Sequence, residues 1–380
     1  MINSTRILFA IFIVSIAFIG CKKEFISPPT ALNCNTDFSS HENNKQYQDA
    51  LKLYTQSNIA PGSIIGVKKH HNEEWIGATG FSNLEHNTPM QPCSQFRTGS
   101  ITKIFTAVVA IQLIESDSLS LETTVSSILP DIKIPNANQI TVQQLLNHTS
   151  GLRHPTSDDL SYQLSLINNP DKMKSMTYQE RLEAFVYDKP LVHSLGSDSY
   201  YSNAGYWVLA LMIEKITGKS IQCNIEKRII NPLNLTSTYL ENKENPNVSR
   251  GYNFSGNKLR DVTLWDIAET NADPAGGMIS NAHDLLAFGE ALFNGMLVSP
   301  SSLYLMKITT NFSSCNGDCG YGLGIENWKV NDKVGYGKNG FSMGVDANLI
   351  YFPEQYITVV IFSNYGGGNS KEVIEKLLEI

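Results

Sequence analysis

Residues 96–113 read FRTGSITKIFTAVVAIQL, and the fold turns on how that stretch is read. Thr98 and Gly99 make a small-residue turn, Ser100-Ile101-Thr102-Lys103 follows, and an apolar run continues to Leu113 with no Gly or Pro to break it. Such a run reads as a helix entering a buried core, with Ser100 and Lys103 on its first turn. Residues three apart share a helix face, so the ammonium of Lys103 reaches the hydroxyl of Ser100. Unpaired backbone N–H groups at the helix start also favour negative charge developing there. That is a way to activate a serine. An N-cap serine followed by a surface lysine has the same spacing. The chain repeats it at Ser255-Gly256-Asn257-Lys258, in a Gly/Asn-rich turn with no helix behind it. Spacing alone does not decide the matter; the surrounding chain does.

Toward the N-terminus, Arg6 precedes the apolar run 7–19, the length of a signal-peptide core and short for a membrane span. The run ends in Phe18-Ile19-Gly20-Cys21, followed by Lys22 and Lys23, and resembles a bacterial lipobox in which Cys21 is lipidated. A plain secretory peptide cut nearby is the alternative, and either takes the protein out of the cytoplasm. The expected organisation is a signal peptide over 1–20, a lipidated Cys21 with a Ser/Asn/Pro/Thr-rich tether over 21–44, and one domain over 45–380. The expected location is the cell envelope, with the lipid anchor as the membrane contact.

The 380 residues, 42% hydrophobic and 17% charged, suit one large α/β unit or two lobes with ample core. A net charge of -7 and the lack of a Lys/Arg cluster argue against nucleic acid as a partner. With Cys21 lipidated, the odd number of remaining cysteines leaves at least one thiol free. Cys315 and Cys319 bracket a turn and suit a small loop; Cys34 with Cys93 is the other candidate pair. No histidine lies near Cys315 and no second pair completes a tetrahedral set, so no zinc and no cofactor is expected. A monomer is expected.

Helical spacing runs over 46–56, and 63–69 with 75–81 read as two strands joined by a turn over 70–74. His70 and His71 are adjacent, would point to opposite faces of a strand, and cannot chelate together. Residues 140–146 form a short helical patch, 153–199 are polar with short helical pieces, and 206–216 is a helix ended by Gly218. Gly276-Gly277 is a tight turn before a helix over 282–293. Residues 345–351 and 357–363 are β-rich, and 371–380 is a final helix. Strands at both chain ends must pair with one another. The expected fold is α/β: one mostly antiparallel sheet flanked by terminal helices, with an inserted all-helical lobe and a cleft between the two.

Three stretches give Ser100 the partners it needs. Tyr201-Ser202-Asn203 is the chain's one Tyr-x-Asn; a lysine ammonium beside Tyr201 favours its phenolate, a base, and Asn203 offers an amide to a substrate carbonyl and the lysine. Tyr200 is a decoy. Lys338-Asn339-Gly340 enters the C-terminal strands, where a lysine on an edge strand binds a substrate carboxylate and Gly340 lets the substrate backbone approach. Lys333-Val334-Gly335 has the same pattern and is the rival. With these residues in place the chain resembles the penicillin-recognising serine hydrolases. Their motif set of Ser-x-x-Lys, Tyr-x-Asn and Lys-Thr-Gly corresponds to Ser100/Lys103, Tyr201/Asn203 and Lys338/Gly340. The segments 145–152, 201–206, 275–278 and 344–353 are also similar, so that the resemblance spans roughly residues 46–380.

The resemblance implies a Ser100 nucleophile, proton handling by Lys103 and Tyr201, and substrate binding by Asn203, Lys338, Gly340 and Phe341. It also implies an oxyanion hole from the backbone N–H groups of Ser100 and Phe341, and a structural His148 that is not part of a triad. Asn339 and Phe341 depart from the hydroxyl and small residue usual there, which weakens recognition of a β-lactam carboxylate. The implied activity is D-alanyl-D-alanine carboxypeptidase-like, on a small molecule or a peptidoglycan-derived peptide. An esterase, a class C-type β-lactamase, or a penicillin- or muropeptide-binding sensor without turnover are the alternatives.

Overall fold

A computed structural model describes residues 34, 37–69, 73–197, 199–241, 245, 247–311 and 319–380. The signal sequence, Cys21, His70, His71 and Cys315 therefore lie outside the described residues. A first helix, Asn44–Ser57, leads into strands β1 (Gly62–Lys69), β2 (Glu73–Asn83) and β3 (Thr88–Pro89). In the middle of the chain come β4 (Phe96–Arg97), β5 (Tyr239–Leu240), the hairpin β6 (Tyr252–Ser255) and β7 (Lys258–Asp261), and β8 (Met278–Ser280). The chain ends with β9 (Thr310–Asn311), β10 (Cys319–Tyr321), β11 (Glu326–Val330), β12 (Lys333–Phe341), β13 (Asp346–Phe352), β14 (Ile357–Ser363) and the helix Lys371–Leu377.

Nine strands form one sheet in the order β3-β2-β1-β14-β13-β12-β11-β10-β9. The chain ends meet as expected: β1 pairs antiparallel with β14, Ile64 opposite Phe362 and Ile65 opposite Ile361. Side chains alternate between faces with period two, and the core divides accordingly. Ile64, Leu349, Val360 and Phe362 face the larger core, with the helices Thr102–Glu115, Asn203–Thr217 and Ala282–Phe293. Ile65, Ile350, Val359 and Ile361 face the smaller one, under the two terminal helices.

The helix Thr102–Glu115 is buried along nearly its whole length. It is apolar all round and carries no stripe, which is the pattern of a core helix rather than a surface one. The inserted part is not purely helical. β8 pairs with both β4 and β5, and a separate hairpin joins β6 to β7. β8 lies between the Gly276-Gly277 turn and the helix Ala282–Phe293, where no strand was expected; three residues are too few to show a period. Lys338 is also not on an edge strand, because β12 is paired on both sides, with β11 and β13.

Cys34 and Cys93 form a disulfide, tying the chain before the first helix to the segment entering β4. Cys223 is disulfide-bonded as well. The expected spare thiol is therefore not found among the described residues. Among those residues no helix is long and apolar enough to cross a membrane.

Candidate active site

Ser100 sits in a single 3-10 turn, Gly99–Ile101, that runs straight into the helix Thr102–Glu115. β8 fixes that turn from below. The N–H of Thr98 donates to Met278 O at 2.8 Å, and the N–H of Met278 donates to Thr102 Oγ1 at 3.0 Å. Lys103, one helical turn on, is 0% exposed. Its Nζ lies 3.1 Å from Ser100 Oγ, 2.7 Å from Asn203 Oδ1 and 2.8 Å from Ala275 O. Burial, and then the ammonium of Lys338, push its pKa well below the usual lysine value. A neutral amine has two hydrogens and one lone pair. In that form its two hydrogens would serve Asn203 Oδ1 and Ala275 O, both acceptors, and its lone pair would face the Ser100 hydroxyl. That is the arrangement of a general base.

Tyr201 Oη is 2.6 Å from Ser100 Oγ on the other side. Burial raises its pKa well above the ordinary phenol value and outweighs the hydrogen bond to Ser100. The expected resting phenolate is therefore corrected: desolvation wins over the neighbouring lysine, and Tyr201 is a neutral O–H that donates to Ser100. With Tyr201 protonated, the Lys103 amine is the better proton acceptor of the two.

Asn203 opens the helix Asn203–Thr217, whose N-cap is Ser202, so the helix begins three residues before the expected 206. His148 holds this start in place. Its backbone is left-handed (φ +63°), and its buried, neutral ring accepts the N–H of Ser202 on Nδ1 at 3.2 Å. The ring packs at 4.4 Å, between centroids, from that of Tyr201. His148 thus positions the Tyr-x-Asn segment and is engaged with Ser202, in keeping with a structural role. Burial also keeps the His154 ring neutral, with its pKa lowered to about 4, edge-on to Tyr201 at 5.5 Å.

Lys338 is 2% exposed and is engaged within the protein. Its Nζ pairs with Glu326 Oε1 at 2.5 Å and donates to Asn339 Oδ1 at 2.9 Å. The same ammonium lies 5.1 Å from the ring centre of Tyr201 and 5.6 Å from that of Tyr321. Glu326 in turn accepts from Trp328 Nε1 at 3.2 Å. Gly340 serves the protein's own backbone, not a substrate's as expected. A Cβ there would fall 1.9 Å from Thr98 O and 3.1 Å from Ser100 N. Gly99 answers it across the gap, left-handed at φ +52°, with room for a Cβ only 2.9 Å from Phe341 N. The end of β12 is thereby brought against the Ser100 turn. Phe341 itself is 59% exposed at the strand's end. The rival Lys333 is spent elsewhere, donating to Leu378 O at 2.9 Å.

Ser100, Lys103, Tyr201 and Asn203 are joined by direct contacts, and Lys338 is linked through the Tyr201 ring. Glu326 and the carbonyl of Ala275 were missed. Nothing in the Glu326 neighbourhood marks it in sequence; only the β11–β12 register, Glu326 opposite Gly337, brings it to Lys338. Asp273 was missed too. It accepts the Trp207 Nε1–H at 2.8 Å and the Ala275 N–H at 2.6 Å, so it shapes the turn that offers Ala275 O to Lys103. Among the described residues no group of three or more His, Cys, Asp or Glu side chains is placed to hold a metal ion.

The chain matches the family model described as Beta-lactamase over residues 50–379. It is 24% identical over 355 residues to Protein flp of Staphylococcus aureus (strain MRSA252), covering 90% of this chain and 66% of that protein. The chain thus spans just under two thirds of that relative's length. Penicillin-binding protein 4 of Amycolatopsis lactamdurans is 24% identical over 349 residues, covering 85% of this chain and 86% of that protein. Of the solved structures, a D-stereospecific amidohydrolase from Streptomyces sp. superposes with a TM-score of 0.76 at 28% identity, covering 87% of this chain and 97% of that one.

Proposed function

This chain belongs to the beta-lactamase family, whose model it matches over residues 50–379, and from that premise we propose that it hydrolyses an amide or ester of a D-amino acid through an acyl-Ser100 intermediate. The observation that carries the proposal is the chain of contacts from Tyr201 Oη through Ser100 Oγ to Lys103 Nζ, 2.6 Å and 3.1 Å long. Neutral Lys103 takes the Ser100 proton as Oγ attacks the substrate carbonyl. The backbone N–H groups of Ser100 and Phe341 receive the oxyanion, each such donor being worth about 3 kcal/mol. Tyr201 gives its proton to the departing nitrogen or oxygen, and the proton held on Lys103 restores the phenol. Water then attacks the acyl-enzyme, Lys103 takes its proton and passes it to Ser100 Oγ as the acyl C–O bond breaks, and the Ser100 hydroxyl is restored. Asn203 keeps Lys103 oriented and presents its amide to the substrate.

The D-configured substrate is supported by the likeness to the Streptomyces amidohydrolase, and acylation by β-lactams by the likeness to Penicillin-binding protein 4. With Cys21 lipidated, the substrate pool is that of the cell envelope, peptidoglycan-derived peptides included. Ser100→Ala tests the chemistry. It should abolish turnover of a chromogenic D-amino acid ester and covalent labelling by a fluorophosphonate or a fluorescent penicillin. Labelling that survives would remove Ser100 as the nucleophile.

A further inference from the structure

Lys338 has three N–H groups, and the structure accounts for the space around each. One meets the carboxylate of Glu326 at 2.5 Å, one meets Asn339 Oδ1 at 2.9 Å, and the remaining side faces the rings of Tyr201 and Tyr321. Both members of the ion pair are almost without solvent contact, at 2% and 8% exposure of their side chains. A buried pair of this kind is not opened at low cost, because either charge left alone is poorly solvated. A substrate carboxylate arriving at Lys338 would have to displace Glu326, or sit beside it as a second negative charge. Asn339 adds to the effect by offering its Oδ1 to the same ammonium that a hydroxyl-bearing residue would help present outward. Past the pair, the strand ends in the exposed apolar ring of Phe341.

Resting on the hydrolase reading of Ser100, we propose that Glu326 is a specificity-determining residue that occupies Lys338 and turns the site toward acyl donors lacking a terminal carboxylate. Amides and esters of D-amino acids fit this site, and free-acid D,D-dipeptides are disfavoured. Glu326 acts through Lys338 and touches no reacting atom.

The test is the ratio of kcat/KM for a matched pair, N-acetyl-D-Ala-D-alanine and its C-terminal amide, in wild type, Glu326→Gln and Glu326→Asp. Wild type should prefer the amide. In Glu326→Gln the ratio should move toward the free acid by about tenfold, the typical worth of one charge-assisted contact. Glu326→Asp keeps a carboxylate and should keep the wild-type preference, which separates a charge effect from misfolding. The amide-to-acid preference in protecting Ser100 from fluorophosphonate supplies the same ratio without turnover. A wild type that prefers the free acid, or a ratio that does not move in Glu326→Gln, overturns the proposal. A wild type that neither hydrolyses either compound nor takes the fluorophosphonate on Ser100 overturns the hydrolase reading itself, and this one with it.

Discussion

A lysine with no solvent contact and two carbonyl acceptors has a single direction left for its lone pair, and in Lys103 that direction is Ser100. In the proposed mechanism the catalytic form is the neutral amine, so kcat/KM should rise with pH through the Lys103 pKa. That pKa is set first by burial and then by the positive charge of Lys338, both lowering it, with Asp273 and Glu326 pulling it back up. Removing Lys338 takes away a lowering influence and leaves Glu326 unbalanced, so both changes raise the Lys103 pKa. The acid limb of the pH profile should therefore move to higher pH in Lys338→Met, measured on a neutral ester substrate. A limb that stays put or moves down would mean that Lys103 is not the group titrating. The Ser-x-x-Lys spacing was legible in the sequence. The protonation states were not, because they follow from burial and from a second lysine more than two hundred residues away.

At the scale of elements, the site is a seam between the end of β12 and the turn that carries Ser100. Gly340 and Gly99 face each other across it, and neither has space for a side chain. The atoms a Cβ would strike are backbone atoms of Thr98 and Ser100, which cannot swing aside as the tip of a flexible side chain would. Gly340→Ala should thus push the strand from the turn, at a cost of roughly 1–3 kcal/mol in stability. A displacement near 1 Å should slow Ser100 labelling by about a hundredfold. Labelling at the wild-type rate in a folded variant would show that the seam does not set the geometry. The sequence marked Gly340 but gave it the wrong neighbour, since a Gly can admit a ligand or another backbone and its own identity does not say which. The same limit hid β8 and Glu326. A three-residue strand has no period, and a lone glutamate gains a role only from the strand register beside it. Long elements were another matter: the helix Ala282–Phe293 falls where the sequence placed it, and β1 pairs with β14 as strands confined to the two chain ends must.

Over the whole molecule, the two parts of the chain are held in register by a buried carboxyl. Asp266, on the helix Thr263–Thr270 of the inserted part, accepts the N–H of Gly344 on Oδ1 at 2.9 Å, in the turn between β12 and β13. Its Oδ2 is buried close to Gly251 and Gly344. Burial raises the pKa of Asp266 to about 7, against the opposing pull of Arg97 and the Gly344 N–H. A carboxyl whose pKa is higher folded than unfolded binds its proton more tightly in the native state. Its stabilising contribution is complete below the unfolded value near 4 and is lost as pH rises through 7. Asn has no proton to lose and retains an oxygen for Gly344. Comparing Asp266→Asn with wild type cancels the other groups that titrate in the same range, His154 and Asp346 among them. The thermal midpoint of Asp266→Asn, relative to wild type, should therefore climb between about pH 4 and 7 and level off above that. A difference that is flat or falls across that window would mean that Asp266 is ionised in the native state, with the tie between the sheet and the inserted part carried by a charge that the surrounding burial does not disfavour.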